Sequence, residues 1–169
     1  WFQLVFIDLR GCGQSSKCPR KTLTIANNAE DLEAIRATLG FEKISVLGWS
    51  YGGMLALEYA TRYPRRLELL FPLSTAGSGD FIRSSYTWLK RHGTRRQQIE
   101  GGKSIRCEVD ADVAVLNRLN QKRPTPPVPI TWNEAAMKIG MLEDLPRWNV
   151  LPKLRRVKAP VFLAGGRHD

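Results

Sequence analysis

The sequence is poor in cysteine, in histidine and in long apolar runs, and these shortages exclude several classes of protein. No apolar run approaches the roughly 18 residues of a membrane-spanning helix, so we expect no association with a membrane. The three cysteines, Cys12, Cys18 and Cys107, are odd in number and lack C-x-x-C spacing, which argues against a disulfide framework or a zinc site. We therefore predict reduced thiols, a cytoplasmic protein, and neither a metal nor another cofactor.

Acidic residues are scarce relative to basic ones, 16 against 26, which gives a formal net charge of +10. Such a balance produces non-specific attraction to polyanions. The basic clusters lie at residues 90–96 and 153–158, and neither has the interleaved aromatic side chains of known nucleic-acid-binding modules. We predict that the partner is a small peptide or another small acyl substrate rather than a nucleic acid. The sequence leaves the oligomeric state open.

The chain alternates between apolar runs and helical patterns. The apolar runs predict strands at residues 2–7, 44–47, 67–73 and 160–164, and helical patterns lie between them at 27–39 and 53–63. Strands that alternate with helices indicate an α/β fold with a mostly parallel sheet. Helical patterns at 110–120 and 132–142 surround a proline-rich stretch at 123–129. We therefore predict a core, residues 1–80 and 150–169, and an inserted helical lid, residues 81–149.

The stretch around Ser50 carries the clearest chemical signal. Gly48-Trp49-Ser50-Tyr51-Gly52 fits the G-x-S-x-G nucleophile elbow, a strained turn from strand to helix that exposes a serine hydroxyl. An apolar run precedes the motif and a helical pattern follows it, as the motif requires. We predict that the turn leaves no room for a Cβ at Gly48 or Gly52. The alternative is an ordinary strand-turn-helix in which Ser50 only caps the helix.

A serine nucleophile needs a base, an acid that orients the base, and donors for the oxyanion. The backbone N–H of Tyr51 is the candidate oxyanion donor. Asp169 follows a strand beyond the lid and is the candidate acid, with an ordinary loop acid as the alternative. The only histidines are His92, in the lid, and His168, directly beside the candidate acid. We expect the base to lie beyond residue 169 and the second oxyanion donor to precede residue 1.

These motifs resemble the α/β-hydrolase superfamily and, within it, the proline iminopeptidase group. Residues 8–15 read DLRGCGQS and are similar to that group's D-x-x-G-C-G-x-S loop. The elbow, the end of the helix that follows it and the loop before Asp169 are similar too, and the likeness covers residues 1–80 and 150–169. The resemblance implies a partial α/β-hydrolase fold with a helical lid. It also implies a serine aminopeptidase that releases N-terminal residues from small peptides.

That group grips the free amino terminus of its substrate with acids of the lid. The lid acids of this chain are Glu100, Glu108, Asp110, Asp112, Glu134, Glu143 and Asp144. No motif singles one of them out. An esterase or lactonase with the same apparatus, or a fragment without a catalytic role, are the alternatives.

The chain begins inside one apolar run and ends directly after another, so we expect it to be a fragment of a longer protein. The resemblance implies a further strand, earlier in the sequence, that lies in space between residues 2–8 and 44–47. Without that strand, unpaired backbone groups would line the gap. We therefore expect the 169-residue piece to be neither stable nor active alone.

Overall fold

The structure, a computed structural model, describes residues 3–105 and 133–166. Its centre is a parallel pair of strands, β1 (Ile44–Trp49) and β2 (Leu67–Leu73). Residues 160–164 lie on the other side of β2, where the Phe162 N–H donates to the Leu70 carbonyl oxygen at 2.9 Å. The bridges between this segment and β2 are parallel but isolated, so the segment is not a regular strand. The predicted parallel α/β architecture is confirmed.

Helix α2 (Tyr51–Arg62) covers one face of the sheet by packing against both strands, and α1 (Ile25–Thr38) packs against α2. Tyr59 of α2 is fully buried, and its hydroxyl donates to the Glu33 carboxylate of α1 at 2.9 Å. The Arg36 guanidinium holds the same carboxylate at 2.7 Å. A charged pair on α1 therefore anchors the middle of α2.

Helix α1 begins at Ile25, before the predicted start at residue 27. The Thr24 hydroxyl caps the helix by accepting a hydrogen bond from the Asn27 N–H at 3.2 Å. The first turn contains no acid; instead the Asp144 carboxylate, from a distant part of the chain, accepts the Ile25 N–H at 2.7 Å. Negative charge is favourable at a helix N-terminus, and a tertiary contact supplies it here. Gly40, with a φ of 74°, follows the C-terminal end of α1 as predicted.

The predicted strand at residues 2–7 is wrong for the part that the structure describes, because residues 3–9 form no strand. Leu4 and Phe6 expose 76% and 90% of their surface. Among the described residues no strand pairs with this segment. A lone extended segment can neither pair its backbone groups nor bury its side chains. These apolar side chains would be buried only if the segment paired with a neighbouring strand. The described residues do not provide such a strand.

The sheet face opposite α1 and α2 is apolar and open to solvent in the described parts of the chain. Side chains alternate along β1, and Leu47 and Trp49 on the open face expose 67% and 69% of their surface. Phe71 is the register partner of Leu47, and its ring lies 6.2 Å from that of the exposed Phe162. An apolar surface of this kind is typical of a face that another element covers.

After β2 the described chain is mostly helical. The segments are α3 (Asp80–His92), α4 (Arg95–Ile105), α5 (Glu134–Ile139), a π-helical turn at Gly140–Asp144 and short 3₁₀ helices at Leu145–Arg147 and Leu151–Arg156. Trp148 ties this region to the core, because its indole N–H donates to the buried Glu58 carboxylate of α2 at 2.8 Å.

The helix expected at 132–142 is present as α5 and the turn that follows it. The helix expected at 110–120 and the proline-rich stretch at 123–129 lie outside the described residues. The division of the chain into a core and a lid remains a prediction. No helix in the described ranges has the length and apolarity needed to cross a bilayer.

Candidate active site

Ser50 is the single residue between β1 and α2. Its φ of 53° and ψ of −119° lie in a region that non-glycine residues rarely adopt, so the turn is strained. The Ser50 N–H donates to the Leu73 carbonyl oxygen at 3.0 Å, and the Thr75 hydroxyl donates to the Ser50 carbonyl oxygen at 2.8 Å. Hydrogen bonds from the end of β2 therefore hold the strained backbone in place.

The Ser50 side chain is exposed and does not cap α2, since it makes no capping hydrogen bond to the first turn of that helix. The alternative in which Ser50 serves only as a helix cap therefore has no hydrogen bond to support it. Strained residues that their surroundings hold in place are concentrated at functional sites.

The glycines around Ser50 differ in how closely other atoms pack against them. A Cβ on Gly48 would lie 2.0 Å from the Gly52 carbonyl oxygen, which confirms the prediction for that position. The prediction is wrong for Gly52 among the described residues, because outside its own helical backbone no heavy atom lies within 4 Å of a Cβ built there. Gly53, which lies outside the five-residue motif, is also closely packed, because a Cβ there would lie 2.7 Å from the Thr75 Cβ. Close packing at the elbow therefore involves Gly48, Gly53 and Thr75.

Tyr51, the first residue of α2, presents a backbone donor and an anchored side chain. Its N–H belongs to the first turn, where backbone donors have no partner within the helix. Its hydroxyl accepts a hydrogen bond from the Asn28 side-chain amide at 3.1 Å. Burial, with a smaller contribution from the negative charge of Asp144, raises the pKa of Tyr51 to about 12, so the phenol is neutral at pH 7.

Asn28 and Thr75 are not among the predicted site residues, although both leave a signal in the sequence. Asn28 occupies a position of the otherwise apolar stripe of α1, between Ile25 and Leu32. Thr75 lies just after the carboxyl end of β2, where the sites of parallel sheets collect.

The glycine loop at residues 8–15 closes on itself. The Ser15 hydroxyl donates to the Asp8 carbonyl oxygen at 2.6 Å, and the Gln14 N–H donates to the Asp8 carboxylate at 2.9 Å. Gly13 has a φ of 53°, and a Cβ there would lie 2.3 Å from that carboxylate. Only glycine fits this position without rearrangement of the loop.

Side-chain hydrogen bonds of Arg10 and Asn133 fix this loop to the rest of the molecule. The Arg10 guanidinium donates to both carboxylate oxygens of Asp31 on α1, at 2.6 and 2.7 Å. The side chain of Asn133, which caps α5, donates to the Gly11 carbonyl oxygen at 2.7 Å. Burial raises the pKa of the Cys12 thiol and keeps it protonated. The loop therefore joins α1 to α5 and offers no reactive thiolate.

Asp169 and His168 lie outside the described residues. The chain that leads to them runs beside β2 to its carboxyl end, where the Ser74 N–H donates to the Ala164 carbonyl oxygen at 2.8 Å. This is the edge of the sheet that carries Ser50. The path of the chain therefore keeps Asp169 a candidate for the acid, as a prediction.

His92 is exposed at the end of α3, and its ring centroid lies 5.2 Å from that of Trp88. Within the described ranges, no group of three or more His, Cys, Asp or Glu side chains is placed to hold a metal ion. Cys12 and Cys18 are free cysteines.

Two of the lid acids named as possible amino-terminus ligands are already engaged. Glu143 accepts a hydrogen bond from the Arg20 guanidinium at 3.0 Å, and Asp144 accepts the Ile25 N–H. Glu100 lies on α4 and Glu134 begins α5. Glu108, Asp110 and Asp112 lie outside the described residues.

A family model described as the alpha/beta hydrolase fold matches residues 2–102. The chain is 38% identical to a proline iminopeptidase of Thermoplasma volcanium, over 38% of this chain and 22% of that protein. It is 25% identical to the AB hydrolase superfamily protein YclE of Bacillus subtilis, over 99% of this chain and 66% of that protein. The chain spans less than two thirds of the length of these relatives.

Solved structures share the fold. An alpha/beta fold family hydrolase from Bacillus anthracis superposes with a TM-score of 0.72 at 25% identity, covering 96% of this chain and 64% of that one. Est816, an N-acyl homoserine lactone degrading enzyme, superposes with a TM-score of 0.61 at 23% identity, covering 96% of this chain and 63% of that one.

Proposed function

The chain belongs to the alpha/beta hydrolase fold family, and on this premise we propose that it carries the nucleophile of a serine hydrolase, Ser50. The observation that supports this most strongly is the backbone of Ser50, a non-glycine residue at positive φ between a parallel strand and a helix, with its side chain exposed. Such a conformation costs on the order of 1–3 kcal/mol. A serine that makes no capping hydrogen bond has no local stabilisation to offset this cost. The same strained turn exposes the hydroxyl of a nucleophile to its substrate.

The proposed reaction passes through an acyl-enzyme. The Ser50 oxygen attacks the substrate carbonyl carbon while a histidine base takes the hydroxyl proton. The Tyr51 N–H donates to the oxygen that becomes negatively charged. The amine or alcohol then leaves with the proton that the histidine returns, and water hydrolyses the acyl-Ser50 ester to restore the free serine.

The remaining parts of the apparatus are assigned by position. Asp169 is the acid that orients the histidine, in the order serine, acid, histidine along the chain. We place that histidine beyond residue 169 and the second oxyanion donor before residue 1. The shorter length of the chain relative to its matched relatives supports this placement.

For the substrate class, we propose a small peptide from which an N-terminal residue is released. The support is the likeness to the Thermoplasma proline iminopeptidase and the loop at residues 8–15. Because Glu143 and Asp144 are engaged in other contacts, the remaining lid acids are the better candidates to bind the substrate amino group. Esters and lactones form the alternative substrate class, since a shared fold does not fix the substrate.

The test is turnover by the complete gene product that contains this chain. We expect hydrolysis of proline β-naphthylamide, and a loss of at least about 10³-fold in kcat for Ser50→Ala, since the nucleophile is removed. Turnover of nitrophenyl esters or lactones but not of the naphthylamide, still lost in Ser50→Ala, would assign the alternative substrate class. Turnover that Ser50→Ala leaves unchanged would overturn the assignment of Ser50.

A further inference from the structure

Asn28 presents a buried polar group that the fold does not need for its core. The residue exposes only 5% of its surface and lies on the buried side of α1 with Ile25 and Ala29. Its side-chain oxygen is buried and makes no hydrogen bond with the described part of the chain. A leucine would fill a similar volume without an unpaired oxygen, and buried unpaired groups are uncommon in native proteins. Packing of the core therefore does not explain why this position holds an asparagine.

A contact of the Asn28 amide nitrogen explains the asparagine, because this nitrogen binds the residue next to the proposed nucleophile. It donates to the Tyr51 hydroxyl at 3.1 Å. Tyr51 is the first residue of α2, so a contact at the tip of its side chain constrains the turn that carries its backbone N–H. Burial keeps the phenol neutral at physiological pH, and its oxygen accepts this hydrogen bond.

The elbow is thus held from two sides. On one side, the Thr75 hydroxyl and the Leu73 carbonyl oxygen bind the backbone of Ser50 from the end of β2. On the other side, Asn28 binds Tyr51 from α1. An oxyanion donor acts only when its N–H points at the developing charge, and small errors in placement are costly to the rate.

We propose that Asn28 is a positioning residue, which acts through the Tyr51 side chain to aim the Tyr51 N–H at the oxyanion of the acyl-transfer reaction. The inference rests on the proposed function of Ser50 and Tyr51. Asn28 touches neither substrate nor reacting atoms in this account, so its effect appears in kcat rather than in KM.

The test is a double-mutant cycle in the complete gene product, with Asn28→Leu, Tyr51→Phe and the double variant. Each single change removes the hydrogen bond, and we expect kcat per folded molecule to fall on the order of 10-fold with KM within about 2-fold, less than the loss of a whole oxyanion donor. The double variant should lose no more than the worse single variant, because both changes break one interaction. Asn28→Leu removes the unpaired oxygen but leaves the Tyr51 hydroxyl without its donor, so we expect only a small change in Tm.

Asn27→Ala is the matched control. Asn27 is the neighbouring amide on α1, and its side chain donates to the Thr22 carbonyl oxygen at 3.0 Å, away from the elbow. We expect Asn27→Ala to lower Tm and leave kcat unchanged.

The outcomes distinguish a failure of the role proposed for Asn28 from a failure of the role proposed for Ser50. A kcat for Asn28→Leu equal to that of the control, or a double variant whose loss is the product of the single losses, overturns the role of Asn28 while Ser50 stays essential. Wild-type turnover that does not depend on Ser50 overturns the proposed function and this inference with it.

Discussion

Gly48 and Gly52 flank the same serine, but they differ in the space available for a side chain. Gly48 faces the backbone of the first turn of α2, whereas Gly52 faces open space among the described residues. A sequence motif treats the two positions alike because it records which residues occur and not what surrounds them. The two positions are therefore a matched pair for testing the turn.

We predict that Gly48→Ala strongly destabilises the protein and that Gly52→Ala does not. An added Cβ at residue 48 meets a carbonyl oxygen at 2.0 Å, so the turn must shift, at a cost of about 1–3 kcal/mol or more. At residue 52 alanine favours the helix by up to about 1 kcal/mol. Urea unfolding of both variants measures the difference, and equal midpoints would contradict the account of the turn.

Thr75 gives a second prediction, about the strained backbone of Ser50. Thr75→Val keeps the shape of the side chain but removes the donor to the Ser50 carbonyl oxygen. We expect a loss of about 1 kcal/mol of stability, together with slower acylation of Ser50. Thr87→Val is the control, because the Thr87 hydroxyl donates to the Arg83 carbonyl oxygen at 2.9 Å on the exposed α3. Acylation rates that fall equally in both variants would rule out a specific role for Thr75.

Ser50 and its turn could be predicted from the sequence because the signal is local: a strand pattern, a glycine, a serine and a helix pattern within a few residues. The contacts of Asn28 and Thr75 could not be predicted in the same way. Their hydrogen bonds with Tyr51 and Ser50 depend on how α1 and β2 pack around the elbow. Tertiary packing of this kind leaves only a weak trace in a single sequence.

The ionised carboxylate of Glu33 on α1 contacts Tyr59 of α2, which makes the packing of these two helices sensitive to pH. The Arg36 guanidinium holds the pKa of the Glu33 carboxyl below its ordinary value, and the Tyr59 hydroxyl lowers it further. The folded protein therefore binds fewer protons at this site than the unfolded chain does. The stabilisation is complete above the ordinary pKa of about 4.3 and is lost as the pH falls through the lowered value.

We predict that Glu33→Gln destabilises the protein at pH 7 by about 1–3 kcal/mol, the range for hydrogen bonds to a charged group. The difference from wild type should shrink as the pH falls below about 4, where the wild-type carboxylate is also neutralised. Urea midpoints measured against pH test this, with Glu68→Gln at an exposed site of β2 as the control. A difference that stays constant down to pH 3 would contradict the ionised contact.

The elements show where local patterns succeed and where they fail. β1, β2 and α2 lie close to their predicted positions because each packs one apolar face against the others. Residues 3–9 carry an equally apolar pattern and form no strand, because pairing is a property of two segments. Helix α1 starts at Ile25 because Thr24 caps it locally and the Asp144 carboxylate, far away in sequence, accepts the Ile25 N–H.

The molecule as described has an open apolar sheet face and an unpaired apolar segment. Leu47, Trp49 and Phe162 are exposed on the face, and Leu4 and Phe6 on the segment. Exposed apolar surface of this extent promotes association and weakens cooperative folding. The fold family could be predicted from the sequence, but the exposure of this face depends on which elements surround it.

We predict that the 169-residue chain expressed alone binds a hydrophobic dye such as ANS and melts without a cooperative transition. The complete gene product should bind little dye and melt cooperatively under the same conditions, because further elements would cover these apolar side chains. Scanning calorimetry and dye fluorescence on both proteins provide the comparison. A cooperative melt with esterase turnover by the 169-residue chain would contradict the expectation.

The nucleophilic role of Ser50 is tested most directly by covalent labelling. A fluorophosphonate probe reacts with a serine hydroxyl only when a base activates it and oxyanion donors receive the phosphoryl oxygen. We predict one adduct on the folded, complete gene product, mapped by mass spectrometry to the peptide that contains Ser50 and lost in Ser50→Ala. A folded protein that takes up no probe, or one that Ser50→Ala labels equally well, would contradict the account.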